Sequence, residues 1–294
     1  MKHRIGLIAL LLASCALVVA GSTGATAQQA TPTASPLASL GLPELQITVT
    51  DQGFQAPASV AAGWYLVTLD NQSSASLTAD MVLLPSGESM ESMLAVIATP
   101  EAGPPPAWVY QTTWAGGSAA GAGQTAQSVV QLTEGNWMIW NGGSPTPAPS
   151  ALTVTAATGT VTAPSATADV DVSMQEYTFT GLENPVPAGE HVWKISNTGK
   201  QPHFMDLIKL PDGTTQQQLT DAINAEMSGT PVAGGLDVSQ IVDLGGTSTV
   251  SPGQSMWASF DLAPGTYGAV CFFPDIQSGA PHAALGMAVV FTVQ

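Results

Sequence analysis

The chain has 294 residues, enough for two domains of ordinary size, and 45% of them are hydrophobic while only 9% are charged. Five basic residues stand against 21 acidic ones, for a formal charge of −16 at pH 7. That balance argues against nucleic acid and anionic lipid as partners, because both would be repelled, and favours cationic ones.

Lys2 and Arg4 make a basic start, Ile5 to Ala20 is apolar, and Ala25-Thr26-Ala27 is a small-x-small cleavage site, so residues 1–27 read as an export signal. The apolar run is too short for a membrane span. Leu12-Ala13-Ser14-Cys15 also resembles a bacterial lipobox, which would leave a lipid anchor at Cys15. The apolar run continues past Cys15, which favours plain cleavage. The expected location is outside the cytoplasm: extracellular, at the cell surface or periplasmic. After cleavage Cys271 is the one remaining cysteine. An unpaired thiol in an oxidising compartment calls for burial or ligation.

Residues 28–43, rich in Ala, Thr, Ser, Pro and Gln, read as a disordered tether. From 44 to 157 short alternating runs predict strands: Leu45 to Val49, Val60 to Leu69, Met81 to Leu84, Ser128 to Leu132, Asn136 to Trp140 and Leu152 to Thr155. One helix is expected from Glu88 to Ile97. Residues 158–168 form a Thr/Ala/Pro/Ser linker. A second domain, 169–294, then repeats the first. Val60-Ala-Ala-Gly63 matches Val186-Pro-Ala-Gly189, Asn71 matches Asn197, and Leu84-Pro-Ser-Gly87 matches Leu210-Pro-Asp-Gly213, all at an offset of 126. Gly123-Gln124 matches Gly253-Gln254 and Gly135 matches Gly265, at 130. The predicted fold is all-β, two tandem Greek-key β-sandwich domains with one short helix each. The second helix is expected from Thr215 to Met227, capped by Thr214 or Thr215 and burying Leu219, Ala222 and Ile223.

The chemistry-bearing residues sit in the second copy. Cys271, His282 and Met287 lie on and after one late strand, and His203 begins a strand predicted to run to Leu210. Two imidazoles, a thiol and a weak thioether suit a mononuclear electron-transfer copper site. In the first copy Leu77 matches His203 and Asn141 matches Cys271, and no His occurs between Gln28 and Glu190. Each residue also has a plain structural reading: a buried inert Cys271, a structural His203, a core Met287. His191, beside Trp193, reads as structural, with a fallback role as a ligand.

The order His203, Cys271, His282, Met287 resembles the cupredoxins, the blue-copper β-sandwiches, over about residues 169–294. The segment Cys271-Phe-Phe-Pro-Asp … Pro281-His282 … Gly286-Met287 is similar to that of a group of exported bacterial cupredoxin-like proteins. The resemblance implies one copper ion, Cu(I)/Cu(II), held by His203, Cys271 and His282, with Met287 weak and axial. It also implies single-electron exchange with a redox partner protein, and a first domain that carries no metal. Two departures stand out. Ten residues separate Cys271 from His282, and Phe204 follows His203 where many members carry Asn. His282, among Pro281, Ala283, Ala284 and Leu285, is expected at the solvent edge as an electron portal. Histidines are too few for a trinuclear centre, so no enzyme is expected. A metal-free adhesion or ligand-binding module and a copper storage or delivery protein are the other readings.

Overall fold

In the computed structural model, residues 35–294 are described except 99–102, 143, 145, 166 and 231–234. The proposed signal and Cys15 lie outside them. No helix among the described residues is long and apolar enough to cross a membrane.

The first half contains strands β1 (Glu44–Thr50), β2 (Gly53–Gln55), β3 (Ser59–Ala61), β4 (Gly63–Asn71), β5 (Leu77–Thr78), β6 (Asp80–Leu83), β7 (Thr113–Trp114), β8 (Ala119–Ala120), β9 (Thr125–Leu132), β10 (Gly135–Trp140) and β11 (Ser150–Thr155). Two helices, α1 (Met90–Ala98) and α2 (Ala107–Gln111), interrupt them, where the sequence predicted one. The second half contains β12 (Val170–Gln175), β13 (Thr178–Thr180), β14 (Gly189–Asn197), β15 (Asp206–Leu210), helix α3 (Gln216–Ser228), β16 (Val242–Gly246), β17 (Ser255–Leu262), β18 (Gly265–Val270) and β19 (Ala288–Val293). The repeat is visible in the strand limits. β4 and β14 share both ends at the offset of 126, and β9/β17 and β10/β18 do so at 130.

Alternation explains the outer strands: in β1 Leu45, Ile47 and Val49 are buried while Glu44 and Gln46 are exposed. β18 differs, being covered on both faces. Tyr267, Ala269 and Cys271 face the sandwich core, and Val270 packs with Leu219 and Ile223 of α3. Thr215 caps α3 through a reciprocal box with Gln218, and Gly229, at φ 65°, ends it. Leu219 and Ile223 are buried as expected, and Ala222 is half-buried.

Each half is a sandwich of two sheets. β2-β1-β4-β9 faces β3-β11-β10-β6-β7, and β13-β12-β14-β17 faces β16-β15-β18-β19. The chain crosses between sheets after β14, β16 and β17, in Greek-key fashion. The halves are joined edge to edge. β9 pairs antiparallel with β17, Ser128 opposite Ala258, which makes one eight-stranded sheet. Ala258 is the repeat counterpart of Ser128, so equivalent positions meet across a local pseudo-twofold. The joint also closes two edges that would otherwise invite pairing with other chains.

A second seam runs beside it. Ser248 N donates to Gly117 O at 3.0 Å, Ser251 N to Trp114 O at 3.0 Å, and Trp114 N to Ser251 Oγ at 2.8 Å. The repeated Asn has a clear role here. Asn197 Nδ2 donates to Gln201 O and Val250 O, both at 2.7 Å, and its Oδ1 accepts from Gly199 N. Asn71 does the same for Ala75 O and Ala120 O in the first half. Asn197→Ala leaves the buried Gln201 carbonyl without its donor and takes one of two donors from Val250 O, which keeps the His203 amide, so a loss of about 1–3 kcal/mol is expected in denaturant unfolding.

Candidate metal centre

His203 does not begin β15, which starts at Asp206; it forms an isolated bridge with Val250, donating N–H to Val250 O (3.1 Å) and accepting from Val250 N (2.7 Å). Cys271 is one residue past β18. Its N–H donates to Met287 O at 3.1 Å and its carbonyl accepts from Ala283 N. Cys271 and Met287 thus continue the β18·β19 register as a directly opposed pair, whose side chains share a face of the sheet.

The long segment between Cys271 and His282 folds back on itself. His282 N donates to Phe273 O at 2.9 Å, and Pro274 bridges Pro281. Inside the excursion, Asp275 Oδ1 accepts from Gln277 N, Ser278 N and Ser278 Oγ, and Gly279 takes φ 69° to close the turn. Eight residues are looped out, and the path from thiol to imidazole is effectively short.

The result is one cluster. His203 Nδ1 lies 3.0 Å from His282 Nδ1, and Cys271 Sγ lies 3.9 and 3.7 Å from those two nitrogens. It is the one group of its kind among the described residues, with all three donor atoms within 4.8 Å of one another. Donors held about 2.0 Å (nitrogen) and 2.3 Å (sulfur) from a shared ion stand roughly 3–4 Å apart, so the spacing suits a single small ion. His203, Cys271, His282 and Met287 are all 0% exposed. His282 is therefore not at the solvent edge, which corrects the expected portal. The covering residues come from the first half: Trp114 and Tyr110 pack edge-on against Phe273, at 6.0 and 5.9 Å, and Tyr110 Oη donates to Pro274 O. Phe273 in turn lies 6.0 Å from the His282 ring. The first half therefore packs over the Phe273–Pro274 stretch that lies against His282.

Burial sets the protonation states. It pushes the Cys271 thiol up to about 12, against partial relief from the backbone amides of Phe204 and Phe273. Burial, then the neighbouring His203, takes His282 down to about 4. Burial also lowers His203, opposed by Glu176. Without a metal these three side chains are neutral near pH 7, and a metal must displace the thiol proton.

Glu176 was not singled out in the sequence. Its Oε1 accepts from His203 Nε2 at 3.2 Å and from the backbone amides of Lys200 and Gln201. An Nε2–H held this way leaves the Nδ1 lone pair aimed at the cluster. A Cβ at Gly199 would fall 2.6 Å from Glu176 Oε1 and 3.0 Å from His203 Nε2, so the pair needs glycine there. The repeat does not single Glu176 out, because the aligned turn of the first copy also carries a carboxylate, Asp51, which accepts from Ser74 N and Oγ. His191 stands apart, 3.4 Å from Asp169 and 3.2 Å from Ala188 O, and the fallback role is dropped. In the first copy Leu77 is buried and Asn141 Oδ1 accepts from Thr78 N at 3.1 Å, which fills the equivalent place with ordinary packing.

Two tandem Greek-key sandwiches, the second closing a His-Cys-His cluster at the end of its late strands, give the chain a two-domain cupredoxin-like fold. No family model matches it, and neither does any curated protein. Solved structures do. Reduced auracyanin from the photosynthetic bacterium Roseiflexus castenholzii is 26% identical over 42% of this chain and 94% of its own, with a TM-score of 0.27. A multicopper oxidase is 12% identical over 85% and 88%, at 0.24. The Cu-containing nitrite reductase of Thermus scotoductus SA-01 is 10% identical over 85% and 61%, at 0.23. TM-scores of that size decide nothing by themselves, and the fold assignment rests on the chain's own strand order and cluster. One expectation is corrected: the matched structures include oxidases and a nitrite reductase, which are enzymes, so the exclusion of an enzyme is withdrawn.

Proposed function

We propose that the chain is an exported copper protein that passes single electrons through one ion held by His203, Cys271 and His282, with Met287 as the weak fourth ligand. The convergence of two Nδ1 atoms and one sulfur in a sealed pocket carries this reading. The donor set supports copper, since thiolate and thioether suit Cu(I) and imidazole suits both states. Bound there, copper supplies one-electron oxidation and reduction. The residues supply stillness. Cys271 and Met287 are tied to each other's backbone, His203 to Val250, and His282 to Phe273 and Met287. Ligands that barely move between oxidation states make electron exchange fast. The expected partner is a cationic redox protein, by complementarity to the acidic chain.

The test is to titrate the purified chain with Cu(II) and look for an intense visible thiolate-to-copper band at one ion per chain. Tightly held Cu(I) without a reversible wave would point to storage or delivery, and no stoichiometric copper to a metal-free module. Glu176→Gln removes a negative charge beside His203. It is expected to raise the reduction potential by about 60 mV, a tenfold change for one electron, while the band persists. Redox titration of the two proteins checks this.

A further inference from the structure

We propose that Tyr177 is the relay through which electrons enter and leave the buried cluster, an inference that rests on the copper reading above. None of the four candidate ligands reaches solvent. The His282 ring has three ring neighbours: His203 at 4.7 Å, Tyr177 at 5.1 Å and Phe273 at 6.0 Å. His203 is fully buried, and Phe273 lies beneath Tyr110 and Trp114 of the first half. Tyr177 alone of the three is half-buried, on the turn between β12 and β13.

The ring is held in place. Tyr177 Oη donates to Asp275 Oδ2 at 2.6 Å, and the same oxygen accepts from Gln201 Nε2 at 3.0 Å. Asp275 is itself pinned by Ser278, and Gln201 by its backbone bond to Glu176. So one hydrogen-bonded chain fixes Tyr177 against one imidazole and reaches Glu176, which orients the other. Ile276 and Leu285, 42% and 40% exposed, come from the two segments beside Tyr177 and make an apolar rim suited to brief docking. Electrons tunnel better through packed atoms than across water, and this ring is the short packed route from His282 to the surface. The phenol keeps its proton and is not oxidised.

The experiment uses the full copper-loaded chain and hexaammineruthenium(II), a cationic one-electron donor. One electron leaves the ruthenium(II) complex, which becomes ruthenium(III), and reduces Cu(II) to Cu(I); no bond forms or breaks. Tyr177→Leu keeps the volume and loses the ring, and Tyr177→Phe keeps the ring and loses the tether. The expected result is a fall in the bimolecular rate of about an order of magnitude for Leu and a smaller fall for Phe. The charge-transfer band and reduction potential should stay unchanged, which a merely structural role for the ring does not predict alongside slower transfer. An unchanged rate in Tyr177→Leu overturns the relay alone. A wild-type chain that takes up no copper overturns the copper reading and the relay with it.

Discussion

Cys271→Ser is expected to abolish the visible charge-transfer band completely and to weaken copper binding by more than the roughly 10–100-fold typical of losing a ligand's hydrogen-bond partner. The band arises from thiolate sulfur, and a serine oxygen is a harder donor that stays protonated. The substitution is nearly isosteric at a 0% exposed position, so the fold should survive with a change of about 1–3 kcal/mol from the buried hydroxyl. Unfolding curves for the apo-proteins separate the two effects. Asn141→Ala, at the matching place in the first half, should leave the band untouched. A Cys271→Ser protein that still turns blue would end the assignment of sulfur as ligand.

Asp80→Asn is expected to stabilise the protein at pH 7–8 by about 3 kcal/mol relative to wild type, and to make little difference near pH 4. Asp80 lies on β6, 5% exposed, and its Oδ1 accepts from Thr249 N at 3.2 Å across the seam between halves. Burial raises its carboxyl from 3.8 to about 6. A folded-state value above the unfolded one gives stability that is fully present below about pH 3.8 and is lost as pH rises through about 6. Asparagine keeps the acceptor without the charge, so the variant escapes that loss. Subtracting the two stability curves cancels titration elsewhere, including His203 and His282. A difference that does not change with pH would sink the idea. Thr249 adjoins Val250, which brackets His203, so the seam also bears on the metal site.

Much of this molecule was legible in one dimension. Strand alternation, turn residues and the shared offsets placed the repeat, and the β4/β14, β9/β17 and β10/β18 limits obey it residue for residue. The cap and the apolar stripe of α3 were readable because both are local, set by Thr215, Gln218, Leu219 and Ile223. His203, Cys271 and His282 were readable as a set because the first copy replaces two of them with Leu77 and Asn141. The eight-residue excursion after Phe273 looked like an obstacle. Its self-closure depends on the Asp275 side chain meeting amides two and three residues on, and no ligand spacing discloses that.

By itself, the sequence determined a duplicated acidic β-protein whose soft ligands sit in one copy only, because period, composition and residue type are properties of the chain. The tertiary structure alone decided that β9 and β17 fuse the two sheets, that Tyr110 and Trp114 pack over Phe273 beside the cluster, and that Glu176 and Tyr177 reach its two imidazoles. Those contacts join residues from 27 to 164 positions apart. Such pairings follow from how two twisted sheets close over a shared core, and local pattern carries no trace of that geometry.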